Sequence, residues 1–226
     1  RKGSTKLRPW SDALQAVYAA PATLRQQRLP PDSPYSADIA SRGLVELARY
    51  QPERALDDWE FYRKRLNFSQ QQARDVEYAI ALRSLFAKTQ AHLPWLQDAL
   101  ARLGDDKLVE ISLRWTLSEQ DWDAMGQALP LLSDAGRQDS TWRYWQAVLH
   151  ERNGQQEQAQ QLLDGLASER GYYSFLSAER IGRPYAFNNQ PLTALDPGPL
   201  QGMPAVRRID ELRFHEKQNL AHSEWY

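Results

Sequence analysis

The chain has 226 residues and a formal net charge of −1, so no strong basic field argues for a nucleic-acid partner. It contains no cysteine, which excludes disulfides, thiol catalysis and thiolate metal sites. Its apolar runs are far shorter than the roughly 20 residues that span a bilayer, so we predict no membrane span.

Apolar residues recur at helical spacing almost everywhere in the sequence, and no run alternates as a β-strand does. The first predicted helix carries apolar residues from Ile39 to Leu47 and ends before Pro52, and the second ends near Asn67. Ser69 is predicted to cap a long third helix.

Two further helices and the start of another follow. The fourth has Pro94 in its first turn and ends at Gly104, and the fifth carries apolar residues from Leu108 to Trp115. Ser118 and Asp121 have the spacing of a capping box, which predicts the start of the next helix at this point.

The segment from Ser140 to Gly182 is the clearest packed unit. It reads as three helices: Ser140 caps the first, Asn153-Gly154 ends it, and the third stops at Gly182. Small side chains at Ala147 and Ala159 would let the first two helices approach closely.

Short helices joined by tight turns, each unable to bury its apolar stripe alone, are typical of a solenoid. We predict an all-α fold, a superhelical solenoid of short helix hairpins that is tetratricopeptide-like but has no exact period. Between 187 and 205, proline, asparagine and glycine predict a connector, and helical spacing resumes after it. The predicted division is therefore 1–186, 187–205 and 206–226.

The sequence contains no zinc-protease, nucleophile-elbow, phosphate-loop or dinucleotide glycine motif. His215 and His222 are too far apart to chelate one ion by themselves, and surface or partly buried positions are expected for the histidines. The pairs Asp57-Asp58 and Asp105-Asp106 are expected at solvated faces and helix ends. We predict no catalytic residue, no cofactor and no metal site in this chain.

Aromatic residues in the packed unit could stack on sugar rings or fill the core. Trp142 and Trp145 are three residues apart on the apolar stripe, which favours core packing. Tyr172 and Tyr173 point in different directions from one helix, so one ring is expected to pack and the other to lie at an edge or interface.

Four short motifs occur in order in this unit: Trp142-Arg143-Tyr144-Trp145-Gln146-Ala147, Glu151-Arg152-x-Gly154, Arg170-Gly171-Tyr172-Tyr173 and Ala178-Glu179-Arg180-Ile181-Gly182. With these motifs the sequence resembles the soluble lytic murein transglycosylases of Gram-negative bacteria. Arg207-x-x-x-Glu211-Leu212 and Ala221-x-Ser223-Glu224-Trp225 are similar to the opening of that family's linker domain. The resemblance covers roughly residues 140–226, and residues 1–139 agree only in their helical-repeat pattern.

The resemblance implies a periplasmic protein with a long α-superhelical region bent into a ring, then a helical linker domain and a lysozyme-like catalytic domain. In that family one Glu followed by Ser cleaves the bond between N-acetylmuramic acid and N-acetylglucosamine and a 1,6-anhydro ring forms. This sequence has no Glu-Ser dipeptide, and Glu224 stands in the reverse order, so no catalytic residue is carried over. The chain alone is therefore expected to be inactive.

The expected role is a non-catalytic scaffold whose partners are peptidoglycan glycan strands and the catalytic domain of the same protein. Its candidate glycan-contact residues are Tyr172, Tyr173 and Arg180. One alternative is a tetratricopeptide-like adaptor that binds peptides or proteins in a concave groove. A weaker alternative is a bare glycan-binding module that uses exposed tryptophan and tyrosine. A polar inner face would favour glycan guidance, and an apolar groove would favour the adaptor.

Overall fold

The computed structural model describes residues 7–189 and 198–224, and its regular elements there are helices without any strand. Contacts divide the chain into two compact units, one up to Ala186 and one from Phe187 onwards. Within the described residues, every helix is too short or too polar to cross a membrane. The prediction of an all-α fold is confirmed.

Between residues 7 and 186, where the structure describes the first unit, it contains eleven α-helices. They are α1 Arg8–Ala19, α2 Ser36–Ala48, α3 Pro52–Tyr62, α4 Gln70–Ala87, α5 Leu93–Leu103, α6 Asp106–Glu119, α7 Trp122–Ala128, α8 Asp134–Arg137, α9 Ser140–Arg152, α10 Gln156–Ala167 and α11 Tyr172–Arg180. Short 3₁₀ helices lie at Pro21–Gln26, Gln90–His92 and Leu129–Leu131. The second unit contains α12 Gly198–Gln201, α13 Pro204–Phe214 and α14 Gln218–Ser223.

Several helix ends follow local sequence chemistry as predicted. Ser69 caps α4 in a capping box with Gln72, in which the Ser69 hydroxyl accepts a hydrogen bond from the Gln72 backbone N–H at 3.2 Å. Gly104 ends α5 with a left-handed φ of 55°. Pro52 begins α3, where its missing N–H leaves no hydrogen bond unmade.

Other ends differ from the prediction. Ser118 lies inside the last turn of α6 and donates to the Trp115 carbonyl at 2.8 Å, whereas Asp121 alone caps α7. The cap of α9 is Asp139, whose carboxylate accepts from the Thr141 N–H at 2.8 Å, and not Ser140. Ser118 cannot cap α7 because α6 continues through it to Glu119, and the next helix begins only after Asp121. At α9 the adjacent Asp139 takes the capping position, which serine and aspartate fill about equally well.

In the first unit most helices pack on a helix that is adjacent to them in sequence or two positions away. α2 contacts both α3 and α4, α4 contacts both α5 and α6, and α9, α10 and α11 pack on one another. Contact between helices two apart as well as adjacent ones is typical of helical solenoids. The predicted solenoid of short helices is therefore confirmed.

The core of this unit consists of three clusters of buried side chains. The N-terminal cluster lies between Val17 and Ile80, the middle cluster between Ala81 and Trp142, and the C-terminal cluster is Tyr144, Ala147, Val148, Leu163 and Leu166. Trp95 packs against the N-terminal and middle clusters. Trp122 and Trp145 pack against the middle and C-terminal clusters. Tryptophans thus connect each cluster to the next.

The expectation that Asp57-Asp58 lies on a solvated face is wrong for Asp58, which is only 3% exposed. Its Oδ1 lies 2.6 Å from Nε of Arg25, and the Arg25 guanidinium lies 3.8 Å from the centre of the Phe61 ring. Because Arg25 belongs to the 3₁₀ helix Pro21–Gln26, this ion pair fastens that segment to α3. A buried carboxylate needs such a partner.

His92 is also more deeply buried than expected, with 6% exposure. Its Nδ1 lies 2.8 Å from the hydroxyl of Ser84, which gives the buried ring a polar partner. Burial lowers the pKa of His92 below its ordinary value. The side chain is therefore a packed part of the α4–α5 connection.

The second unit has little core among its described residues. Ile209 on α13 and Ala221 on α14 are its buried apolar residues, and Arg208 pairs with Glu224 at 2.8 Å. A single helical turn, α12, lies within the predicted connector. Trp225, the last residue of the motif that resembles the opening of the linker domain, lies outside the described residues.

Replacing Trp142 by alanine should destabilise the first unit by about 3–5 kcal/mol, because the side chain is 1% exposed and its removal leaves a large cavity. Urea unfolding followed by circular dichroism measures this change. Tyr172→Ala is the control, since Tyr172 is 71% exposed and its loss should change the free energy of unfolding by less than about 0.5 kcal/mol. Equal effects of the two variants would contradict the assignment of Trp142 to the core.

Backbone amides of α13 and α14 should exchange with solvent faster than those of α9 and α10, because their helices bury far fewer apolar side chains. Hydrogen–deuterium exchange followed by mass spectrometry compares the two regions in one sample. Equally slow exchange in both would show that residues 206–224 are stabilised by contacts that this core does not provide.

Candidate functional site

The surface that carries the three candidate residues is built on α9, α10 and α11. Ala147 on α9 and Ala159 on α10 are both buried, and these two helices pack closely, as their small side chains predict. Gly154 joins them with a left-handed φ of 75°. α11 then packs on both helices and presents Tyr172, Tyr173 and Arg180.

The two adjacent tyrosines have different environments. Tyr173 is half-buried, and its ring centre lies 5.4 Å from that of Tyr144 in the C-terminal cluster. Tyr172 is 71% exposed and meets Tyr173 edge-on, with the ring centres 5.1 Å apart. The prediction that one ring packs and the other lies at an edge is confirmed. Only Tyr172 presents most of its ring to solvent.

Arg180 is held by protein groups rather than free. Its Nε lies 3.0 and 3.2 Å from the two carboxylate oxygens of Glu151, and its Nη1 lies 3.4 Å from the hydroxyl of Tyr144. The hydrogen bonds to Glu151 raise the pKa of Arg180, which therefore stays charged. Contact with a ligand would use only the guanidinium N–H groups that these partners leave over.

Two more ion pairs fasten the helices beneath this surface. Arg143 on α9 reaches Glu169 at 2.6 Å, and Arg183 reaches Asp164 on α10 at 3.0 Å. A Cβ at Gly165 would lie 3.3 Å from the Arg143 guanidinium, so glycine leaves room for the first pair. Ion pairs near the surface contribute at most about 1 kcal/mol each, so these two add to the packing of the three helices rather than determine it.

The acids with shifted pKa values do not have the properties of a general acid for glycoside cleavage, which needs a raised pKa. Hydrogen bonds from Ser133, Lys88 and Arg208 lower the pKa values of Asp106, Glu119 and Glu224, respectively. In the described part of the chain, histidine and acidic side chains form no group of three that could hold a metal ion.

No family model matches the chain, but curated proteins do. A soluble lytic murein transglycosylase of Salmonella typhimurium is 31% identical over 137 residues, which are 61% of this chain and 21% of that protein. The protein of the same name from Escherichia coli is 31% identical over 138 residues, with the same two shares. The chain thus matches about a fifth of the length of these relatives.

Solved structures resemble nearly the whole chain. The lytic transglycosylase Slt of Pseudomonas aeruginosa has a TM-score of 0.79 and 28% identity, and the match covers 98% of this chain and 37% of that one. The 70-kDa soluble lytic transglycosylase of Escherichia coli has a TM-score of 0.78 and 24% identity, over 98% of this chain and 36% of that one. A 70-kDa soluble lytic transglycosylase in complex with bulgecin A gives a TM-score of 0.79 at 24% identity, over 99% and 37%. The resemblance inferred from the sequence motifs is confirmed.

The Asp106→Asn substitution should remove a pH-dependent part of the stability. Asp106 accepts from the N–H of Ser133 at 2.7 Å and from its hydroxyl, which lowers the pKa of the carboxyl group. Because the pKa is lowered in the folded state, the ionised carboxylate stabilises the fold. This contribution is complete when the pH is above the ordinary pKa near 4, and it is lost as the pH falls through the lowered pKa. Wild type should therefore exceed Asp106→Asn by about 1 kcal/mol at pH 7 and by much less at pH 2.5.

The measurement is urea unfolding of both proteins at the two pH values. Asp32→Asn is the matched control, because Asp32 is exposed and lies far from Ser133 in sequence. A difference between wild type and Asp106→Asn that is as large at pH 2.5 as at pH 7 would rule out this linkage.

Proposed function

We propose that this chain, a homologue of the soluble lytic murein transglycosylases, is a non-catalytic helical scaffold of such an enzyme. The observation that carries the proposal is that the likeness covers about a fifth of the relatives' length and falls on a stack of helices. The environments of Asp106, Glu119 and Glu224 support it, since each lowers the pKa and so favours the ionised carboxylate over the protonated form that donates a proton.

The parent protein would cleave the glycan strands of peptidoglycan between N-acetylmuramic acid and N-acetylglucosamine, with formation of 1,6-anhydromuramic acid. Its catalytic carboxylic acid would belong to a lysozyme-like domain, and this chain would hold that domain and guide strands towards it. Residues 206–226 would be the start of the linker domain between them. Peptidoglycan lies outside the cytoplasmic membrane, so we place the protein in the periplasm.

The part of α11 around Tyr172 is the proposed contact with glycan. An exposed aromatic ring can stack on the apolar face of a sugar, and such a contact needs no charge. Tyr173 would hold the Tyr172 ring in position by its edge-on packing, and Arg180 would donate from its remaining N–H groups. The curated relatives and solved structures are lytic transglycosylases, so the tetratricopeptide-like adaptor is not favoured.

Binding to glycan can be measured by sedimentation of the 226-residue chain with purified murein sacculi. Tyr172→Ala should weaken binding about two- to tenfold, which corresponds to about 0.5–1.5 kcal/mol for one aromatic contact. Tyr50→Ala is the matched control, because Tyr50 is 75% exposed and belongs to the other end of the helical stack. If wild type and both variants bind murein equally, Tyr172 does not contact glycan, and the proposed contact at α11 is wrong.

The same incubation tests the absence of catalysis. Soluble products are analysed by chromatography and mass spectrometry for 1,6-anhydro-muropeptides, with a complete lytic transglycosylase as the positive control. No such product is expected from this chain. Product released by the chain alone would contradict the scaffold role, even if Tyr172→Ala weakened binding as expected.

A further inference from the structure

The connection between α4 and α5 concentrates buried polar groups. Ser84, Thr89 and His92 are three of the eight polar or charged residues that are buried in the described parts of the chain, and they fall within nine positions of sequence. The indole Nε1 of Trp95 is also buried, and it has no hydrogen-bond partner among the residues that the structure describes. A buried polar group costs free energy unless it is paired, so this connection depends on the few hydrogen bonds that it makes.

The same connection joins two parts of the core. The side chain of Trp95 packs against both the N-terminal and the middle cluster. Its ring centre lies 6.4 Å from that of His92, and the two rings meet edge-on. The backbone N–H of Thr89 donates to the carbonyl of Ser84 at 3.0 Å, which closes the turn at the end of α4. A change at His92 therefore acts next to the side chain that connects the two clusters.

The direct contacts of His92 suit a neutral ring. Its Nδ1 lies 2.8 Å from the hydroxyl of Ser84, which is fully buried on α4. A hydroxyl can donate to a neutral imidazole nitrogen or accept from a protonated one, but it carries no charge of its own. The indole N–H of Trp95 on α5 is only a donor, so it cannot accept a hydrogen bond from a protonated ring. Neither contact compensates a positive charge at His92.

Charged groups act on His92 from α3. Glu53 and Asp57 lie one turn apart on that helix, and both favour the protonated ring, whereas burial disfavours it. Burial is the larger effect, so the pKa of His92 lies below its ordinary value of about 6.5. Lys88, which belongs to the same connection, is paired with Glu119 at 2.7 Å.

We propose that the α4–α5 connection is an acid-sensitive joint of the helical stack. When His92 takes up a proton, a charge enters a site whose direct partners are a hydroxyl and an indole N–H. The charged ring then leaves this site for solvent and the carboxylates of α3. Trp95 loses the neighbour that its ring packs on, and the contact between the N-terminal and middle clusters loosens. The joint is closed at neutral pH and opens in acid.

The pH dependence of stability has a definite direction. Because the pKa of His92 is lowered in the folded state, the unfolded chain takes up the proton at a higher pH than the folded chain does. The neutral ring therefore stabilises the fold fully above the ordinary pKa near 6.5, and this contribution is lost as the pH falls towards the lowered pKa. At pH 5.5, aspartate and glutamate with ordinary pKa values near 4 remain ionised, so histidine dominates the change.

Urea unfolding at pH 7.5 and pH 5.5 compares wild type with His92→Gln, whose side-chain amide can still bind Ser84 but takes up no proton. On acidification, the unfolding equilibrium constant of wild type should rise several-fold more than that of His92→Gln. The limit for one histidine over this range is about tenfold. His215→Gln is the matched control, because His215 is exposed, and it should respond to acid as wild type does.

Hydrogen–deuterium exchange shows where the chain opens. Wild type and His92→Gln are compared at the same pH, so the direct effect of pH on the exchange chemistry cancels. The ratio of their exchange rates in residues 84–96 should rise several-fold between pH 7.5 and pH 5.5. The rise in α9 and α10 should be smaller, because these helices lie beyond the joint and have their own cluster.

An equal rise in both regions would overturn the joint, since His92 would then affect only the stability of the unit as a whole. Equal responses of wild type and His92→Gln to acid would overturn it too. If His92→Gln does not fold, NMR titration of the wild-type histidines decides. The ring protons of His92 should titrate at a lower pH than those of His215, and titration at the same or a higher pH would contradict the proposal.

Discussion

Every helix of the first unit depends on its neighbours, because none can bury its apolar face alone. The core therefore consists of three clusters in a row rather than one centre, and it is continuous only where large side chains reach two clusters at once. Trp95 does so at one junction, and Trp122 with Trp145 at the other. A tryptophan suits such a junction because one rigid side chain covers a large apolar area.

The sequence predicts those features of the fold that depend on adjacent residues. Helix ends are such features, so the cap at Ser69 and the stop at Gly104 were predictable. Ser118 was assigned wrongly because α6 continues through it, and Ser140 because the adjacent Asp139 can make the same hydrogen bond. No helix was predicted before Ile39, although α1 and a 3₁₀ helix lie there. The spacing of Trp10, Leu14 and Val17 is helical and could have predicted α1.

Contacts between distant residues explain the remaining differences. Asp58 is buried because Arg25, 33 positions earlier, covers it, and no local pattern records that pairing. At the candidate glycan surface, the sequence distinguished a packed ring from an exposed one but not which was which. Packing on Tyr144 buries Tyr173 and leaves Tyr172 outside.

A stack of helices leaves its outer stripes available for other contacts, because only the inner stripes bury apolar side chains in the core. On α11 the outer stripe carries the exposed ring of Tyr172, whereas Tyr173 packs on Tyr144 of the C-terminal cluster. A change at Tyr172 should therefore leave the buried clusters intact, which separates an effect on binding from an effect on folding.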